Sequence, residues 1–552
     1  MTHPRARLRV VCWLLLVSTL NAACGTGVPQ TATVSAVPAA QPAAVGEALV
    51  VALASAPTTL DPADHRDRQS ETVIRNIFDG LVTRDTRTGV HLELAESLTW
   101  PDDHTLQVTL RRGVLFHDGV EMTADDVVFT FERLIGENAI EYPDSHTSPR
   151  KALLAPLEGI TRLDDYTVEM HFDGPWPPAL QMLVHQQIVP RHYVEAVGSQ
   201  EFAAHPIGTG PFRFVSASAD LHEIVLERFD GYYGGAPDMA PGGPACLGRV
   251  IFRTVSDGRT RAAALHAGDL HIIQTVPSEL VAVLAASANV RVSTAPGTRP
   301  VWIELNVNRP PFDDVRVRQA LNHAIDKQRL IDEVYGGRAT ALAGPLSPHN
   351  LFVNKTLIPY PYQPELAADM LGDAGWTDSD GDGILDKHGR SLAITLDTLE
   401  IWRALAEAVA VQLDEMGITV SVRTWERAAI ATRLLADERM AYLDGWGDSA
   451  FDPVGHLEAK WHSRIDDSGY GRANYSGFSN PRVDELIQLG EITPDPIARQ
   501  ELYDEAQRIL YEQAPAVFLL LPDEVEAASL RVVHWDAASD GRINLHDVCL
   551  AP

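Results

Sequence analysis

Leu405 to Trp425, LAEAVAVQLDEMGITVSVRTW, decides the architecture. Leu405, Val409, Leu413 and Met416 recur at helical spacing and make one apolar stripe. Gly417 closes the helix at the position where a left-handed residue is favoured. Ile418, Val420 and Val422 then alternate with polar residues up to Trp425, as on a half-buried strand. A helix that ends on Gly and feeds a strand is the αβ half of a βαβ element.

The same grammar extends in both directions. Upstream, Asp313 is read as the cap of a helix with Val317, Leu321, Ala324 and Ile325 inward, and Asp326 as the cap of the next, which stops at Gly336-Gly337. Gln363-Pro364 opens another helix at the position Pro favours, and Gly375 ends it. Nearer the start, Glu47 to Leu53 reads as a strand and Ser70 to Leu81 as a helix with Val73, Ile77 and Leu81 on one face. Leu106, Val108 and Leu110 form a strand. Thr123 caps a helix with Asp125 and Asp126 in its first turn, where the dipole favours them. The fold class is α/β throughout.

Downstream, Ala441 to Pro453 reads AYLDGWGDSAFDP. An apolar run turns into Gly445-Trp446-Gly447-Asp448-Ser449. Flanking Gly residues let a backbone approach something closely, and Trp offers a flat apolar face with a polar N–H. That combination suits a cleft wall on which an organic molecule stacks while Asp448 or Ser449 meets its polar group. A core Trp followed by a turn Asp is the alternative reading.

Charge and composition bound the classes. The chain has 45% hydrophobic and 22% charged residues, and Lys+Arg 45 against Asp+Glu 75 gives a net charge of −30. Such a surface repels nucleic acid and anionic lipid. Arg5, Arg7 and Arg9 precede a short apolar run, Val10 to Leu20, and then Ala22, Ala23 and Cys24. This is an export signal (1–23) ending in a form like a bacterial lipobox, with Cys24 as the lipidated residue. The usual Leu three places before the Cys is replaced by Asn21, and an ordinary secretory signal cut nearby is the alternative. Residues 24–46 are rich in Ala, Pro, Thr, Val and Gln and read as a disordered linker. Of four Cys, Cys246 and Cys549 remain in the body. Outside the cytoplasm they can form a disulfide, or stay as two separate thiols.

Asp378-Ser379-Asp380-Gly381-Asp382 resembles the start of a calcium loop, but Gly389 stands where the last ligand, a Glu, would be. A Gly/Asp-stabilised hairpin turn is the reading adopted, with no metal expected. No G-x-S-x-G, H-E-x-x-H, P-loop or C-x-x-C occurs, so no catalytic residue and no cofactor is expected.

Several long motifs then occur in a telling order: TLDPADHRD (Thr59 to Asp67), LAESLTWPDDHTLQVTLRRGVLFHDGVEMTADDVVFTFERL (Leu94 to Leu134), PIGTGPFRF (Pro206 to Phe214), ERFDGYYGG (Glu227 to Gly235), NRPPFDDVRVRQALNHAIDKQRL (Asn308 to Leu330), AADMLGDAGWTDSDGDGILD (Ala367 to Asp386) and NYSGFSNPRVDELI (Asn474 to Ile487). On these the chain resembles the extracellular solute-binding proteins of the peptide/nickel group, family 5, the receptors of ABC importers. The resemblance implies a two-lobed periplasmic-binding-protein-like fold, type II, of the large peptide-binding class, with an extra subdomain on lobe I. Carried over, lobe I covers 47–88, 206–297 and 515–552, the subdomain 89–205, and lobe II 298–514. Cys246 and Cys549 then share lobe I.

In peptide-binding members of this family a Trp is followed three residues later by an Asp that pairs with the ligand's ammonium, and then by Asp-Pro. Trp446 and Asp452-Pro453 keep that spacing; Ser449 stands at the acid's position, and Asp448 comes one residue early. One step along a strand changes its face. Either Asp448 swings in through a bulge or Ser449 faces the cleft as a neutral donor. Trp425 falls where the family has a cleft Trp, and Arg433 lies one place after a position that can supply a carboxylate-binding Arg. The Ala56-Pro57-Thr58 turn matches a segment whose backbone meets the ligand. The resemblance implies a monomeric, lipid-anchored, extracytoplasmic receptor that binds a peptide or other small organic solute and hands it to ABC permease subunits. A receptor for a nickel-type metal chelate and a ligand-presenting sensor are the alternatives.

Overall fold

Three sheets of four or more strands carry most of the chain. They are seen in a computed structural model that describes residues 47–552 apart from 87, 240–241, 435–438, 448–449 and 467, and apart from the side chains of 428, 431 and 432. The signal segment, Cys24 and the linker therefore lie outside the described residues. So do Asp448 and Ser449.

The first sheet has seven strands. Across it run Val290–Ala295, Glu524–Ser529, Ile272–Ile273, Leu49–Leu53, Arg249–Thr254, Glu223–Arg228 and Phe212–Ala217. Leu49–Leu53 is central and parallel to both neighbours, while the other pairs are antiparallel. Its residues Leu49, Val51 and Leu53 are buried against helix Arg68–Ile77 through Val73, Ile74 and Ile77. Asp67 caps that helix by accepting the Ser70 N–H at 2.8 Å.

The second sheet has six strands, in the order Ala339–Ala341, Ala516–Pro522, Val301–Leu305, Ala441–Gly445, Ala393–Leu399 and Thr419–Trp425. The expected αβ unit is here. Helix Arg403–Asp414 buries Leu405, Val409 and Leu413, Gly417 has φ +75°, and Thr419–Trp425 pairs in parallel with Ala393–Leu399. The third sheet is a four-stranded antiparallel sheet between Ala95 and Phe172. Helix Ala124–Ile135 lies with it in one apolar cluster through Val127, Phe131 and Leu134.

Three expectations need correction. The helix expected over Ser70 to Leu81 runs from Arg68 to Ile77, because Phe78 takes an extended backbone, φ −127° and ψ 147°, and leaves Leu81 outside the helix. The expected lobe I resumes at 515, but Ala516–Pro522 pairs with Val301–Leu305 and Ala339–Ala341 in the second sheet. All of Ala516 to Leu521 is buried, as a strand interior to its sheet requires. The chain crosses back only at Asp523, and Glu524–Ser529 joins the first sheet. The cap of helix Val315–Ala324 is Asp314, not Asp313: its carboxylate accepts the Arg316 N–H at 3.0 Å.

The two crossings, 296–300 and Asp523, touch. A Cβ built on Gly297 would stand 2.1 Å from the Pro522 carbonyl oxygen, so only Gly lets these backbones meet. Cys246 and Cys549 are joined by a disulfide with Cα atoms 5.3 Å apart. At the aspartate-rich loop the carboxylates serve the backbone. Asp378 accepts from the N–H groups of Gly381, Asp382 and Gly383, and a hairpin, Asp386–Lys387 with Arg390–Ser391, follows. Among the described residues no helix is long and apolar enough to cross a membrane.

Candidate functional site

Strand Ala441–Gly445 ends at a cleft between the two large sheets. Alternation along it puts Tyr442 and Asp444 on one face. Asp444 is fixed there by three donors: Trp402 Nε1 at 2.9 Å, Tyr442 Oη at 2.9 Å and the Gly445 N–H at 2.8 Å. Gly445 is needed for the approach of the crossing segment, because a Cβ there would meet Arg299 Cγ at 2.7 Å. The Trp446 N–H donates to the Pro300 carbonyl at 3.2 Å, which ties the cleft wall to the same crossing.

Trp446 lines this cleft. Its indole Nε1–H donates to the Gly455 carbonyl at 3.0 Å, and the Lys460 ammonium lies 5.2 Å from the ring centroid. Lys460 is itself buried and paired with Glu304. The ring is thus held by Gly455 and Lys460 and borders a space of about 340 Å³, a volume suited to a small organic molecule.

The other walls come from far along the chain. Arg66 and Glu71 come from the start of helix Arg68–Ile77, Arg150, Met182 and His185 from segments beside the third sheet, Arg299 from the crossing, and Arg427, Arg472 and Tyr475 from segments beside the second sheet. Glu71 is buried, which pushes its pKa up, but Arg542 and His185 overcome that and hold it well below the usual carboxylate range. Its Oε1 lies 3.1 Å from His185 Nδ1 and 3.3 Å from Arg542 Nη2. Burial drives the His185 imidazole down to about 4, so it is neutral near pH 7. Arg150 is buried at the back of the cleft, with Nη1 2.8 Å from His65 Nε2, and desolvation lowers its pKa to about 10. Arg66 and Arg299 are reached by solvent yet hemmed in by protein. Desolvation lowers both, helped by Arg472 for Arg66 and by Arg68 for Arg299.

The expected site residues do not converge on one spot. Trp425 and Arg433 lie together, with the Arg433 guanidinium 4.9 Å from the Trp425 ring centroid, but they line a separate cavity of about 120 Å³. Trp425 Nε1 donates to Asp397 at 2.7 Å, and Asp397 also takes Arg423 at 2.8 Å. A third cavity lies between the two. It shares Leu434 and Tyr475 with the Trp446 cleft and Arg439 with the Trp425 cavity.

Ala56, Pro57 and Thr58 sit at the start of helix Arg68–Ile77 instead of on the cleft wall. The Thr58 N–H donates to Ser70 Oγ at 2.9 Å and its hydroxyl to Asp67 at 2.6 Å. The same chain segment reaches the cleft farther on, at Arg66 and Glu71. Asp452 is structural: it is buried and paired bidentately with Arg499 at 2.6 and 2.8 Å.

Sequence reasoning missed Asp444, Arg66, Glu71, Arg299 and Arg472. Only Asp444 had a local signal, since it stands two residues before Trp446 and shares its face by strand alternation.

Comparison with known proteins identifies the family and the fold. Residues 89–468 match the model of the family described as bacterial extracellular solute-binding proteins, family 5 Middle. The glutathione-binding protein GsiB of Salmonella choleraesuis (strain SC-B67) is 28% identical over 529 residues, covering 93% of this chain and 96% of that protein. The oligopeptide-binding protein AppA of Bacillus subtilis, solved in complex with a nonapeptide, superposes with a TM-score of 0.73 at 26% identity, covering 92% of this chain and 99% of AppA. The periplasmic binding protein DppA of Helicobacter pylori, associated with an ABC transporter and solved with the peptide STSA, gives a TM-score of 0.75 at 26% identity, covering 92% and 98%.

Proposed function

The chain belongs to family 5 of the bacterial extracellular solute-binding proteins, and from that premise we propose that it captures a peptide or peptide-like solute outside the cell membrane and delivers it to an ABC permease by hinge closure. The observation that carries this reading is the cleft at the seam of the two large sheets, with Trp446 as an apolar wall and Asp444 fixed beside it. Asp444 already holds three donors and is oriented to take a ligand ammonium as a further partner. This supplies the acid that Ser449 lacks at the family position.

Enclosure matters because a polar solute removed from water needs a partner for each polar group. Closure is favoured by whatever the solute gains from both lobes at once. The crossings at Gly297 and Asp523 are the hinge of that motion. Cys24 carries the lipid that tethers the mature chain to the membrane, with residues 24–46 as its leash.

The arginines of the cleft also suit a carboxylate-rich metal chelate, which keeps the nickel-type receptor as a second reading. Native purification followed by mass spectrometry of the retained solute separates the two. A peptide-like mass supports the first reading and a metal-bearing chelate the second; a sugar or a lipid contradicts both. For the anchor, Cys24→Ala is expected in the soluble fraction. Retention on washed membranes refutes the lipid assignment.

A further inference from the structure

Resting on the receptor reading above, we propose that the solute is a short peptide with at least two carboxylates, one of which serves as the shared counter-ion of Arg66 on the first lobe and Arg472 on the second. The cleft is cationic although the chain as a whole carries −30. Among the described residues five guanidinium groups line it, those of Arg66, Arg150, Arg299, Arg427 and Arg472, against two carboxylates, Glu71 and Asp444. Glu71 is already neutralised by Arg542, with the neutral His185 imidazole beside it. Asp444 has Arg427 at 3.9 Å. With Arg472 facing Glu458 and Arg427 facing Asp444, Arg66, Arg150 and Arg299 keep positive charge that no carboxylate lining the cleft among the described residues cancels.

Arg66 is the telling residue. Among the described residues it makes no hydrogen bond and no ion pair, and the charge it feels is that of Arg472. Arg472 donates to the Gly469 carbonyl at 2.9 Å and lies 3.4 Å from Glu458. These two cations come from opposite sides of the cleft, so closing it over a neutral guest presses like charges together in a desolvated space. A carboxylate between them reverses the sign of that interaction and accepts from both guanidinium forks. The anion is then the element that makes the closed state favourable, which links its charge to the hinge.

A second carboxylate has a place at the other end. Arg299 reaches its nearest acceptor, the Gly445 carbonyl, only at 3.5 Å, and Arg427 stands beside the same strand end. Asp444 between them is left for the ligand's ammonium. One ammonium and two separated carboxylates thus match the charges on the walls. The net charge of the chain opposes such a ligand only weakly, because screening at physiological salt confines surface charges to about 8 Å.

Calorimetric titration of the purified full chain with Glu-Gly-Glu, Gln-Gly-Gln and reduced glutathione tests this. The first two peptides have the same shape and differ in charge. Glu-Gly-Glu or glutathione is expected to bind at least about ten-fold more tightly than Gln-Gly-Gln. Arg66→Gln, at a solvent-reached residue with no partner among the described residues, is expected to collapse that ratio to about two-fold, by weakening Glu-Gly-Glu and by relieving the Arg66–Arg472 repulsion for Gln-Gly-Gln. Equal binding of Glu-Gly-Glu, glutathione and Gln-Gly-Gln by the natural chain, or a ratio that survives both Arg66→Gln and Arg472→Gln, overturns the counter-ion role and leaves the receptor reading standing. Binding of none of the three overturns the peptide reading itself, and this inference with it.

Discussion

Gly297→Ala probes the hinge directly. The added Cβ would lie 2.1 Å from the Pro522 carbonyl oxygen. An ordinary carbon–oxygen contact needs about 3.3 Å, so the two crossing segments must part by about 1.2 Å or distort. Neither partner can step aside cheaply, because the atom met is backbone and both segments are anchored in strands on each side. Such overpacking costs about 1–3 kcal/mol. At about 2 cal/mol/K per residue over some 500 ordered residues, that is a fall in Tm of about 1–3 °C. The larger effect is on closure. If the same 1–3 kcal/mol separates open from closed forms unequally, solute affinity changes by about 5- to 150-fold. Calorimetry with the retained solute and a thermal melt of the ligand-free chain read both quantities. Gly174→Ala is the control, since its Cβ would meet nothing within 4 Å. Unchanged melting and unchanged affinity in Gly297→Ala would refute the argument that the crossings form a tightly packed hinge.

Three further outcomes are expected. Trp446→Ala should lower solute affinity by about 2–4 kcal/mol, while Trp446→Phe, which loses the bond to the Gly455 carbonyl and part of the ring face but keeps an aromatic wall, should stay within about 1 kcal/mol; a drop in stability with affinity intact would make Trp446 a core residue. Glu491 is pushed up from 4.5 to about 8 by burial and then by the Glu458 charge, and Tyr470 Oη donates to it at 2.8 Å. The unfolded chain releases this proton above 4.5 while the folded one keeps it to about 8. Stability is therefore fully present below about 4.5 and falls as pH rises to about 8. Glu491→Gln should flatten that fall and melt higher at pH 8; identical pH profiles would count against it. Removing the disulfide by Cys246→Ser, which opens a loop with a sequence separation of 303, should cost on the order of 3–5 kcal/mol in a urea melt. A loss below about 1 kcal/mol would mean that other contacts already hold the C-terminal segment.

The elements were legible where periodicity is strong. Leu405, Val409 and Leu413 announce their helix, and the alternation after Gly417 announces the strand that follows. The second crossing was not legible. AVFLLLP and EVEAAS both read as strand, and nothing but Asp523 separates them. A buried run carries no mark of which sheet buries it. In the site, Trp446 stood out because two Gly residues flank it. Asp444 was hidden by its place inside a strand, where a carboxylate is read as the solvent side. Arg66, Arg299 and Arg472 sit in irregular segments far apart in sequence, and a single Arg there has no pattern to betray it. Only folding three regions around one space turns them into a cationic pocket.

Lobe closure itself is the decisive observable. Fluorophores placed at Val283→Cys and Ile401→Cys, exposed by 64% and 75% on the first and second lobes, report the separation of the lobes by energy transfer. Addition of the retained solute should bring the two labels closer in a saturable step that Trp446→Ala shifts to higher concentration. A separation that stays constant while the solute binds would contradict an account built on two lobes closing over a guest.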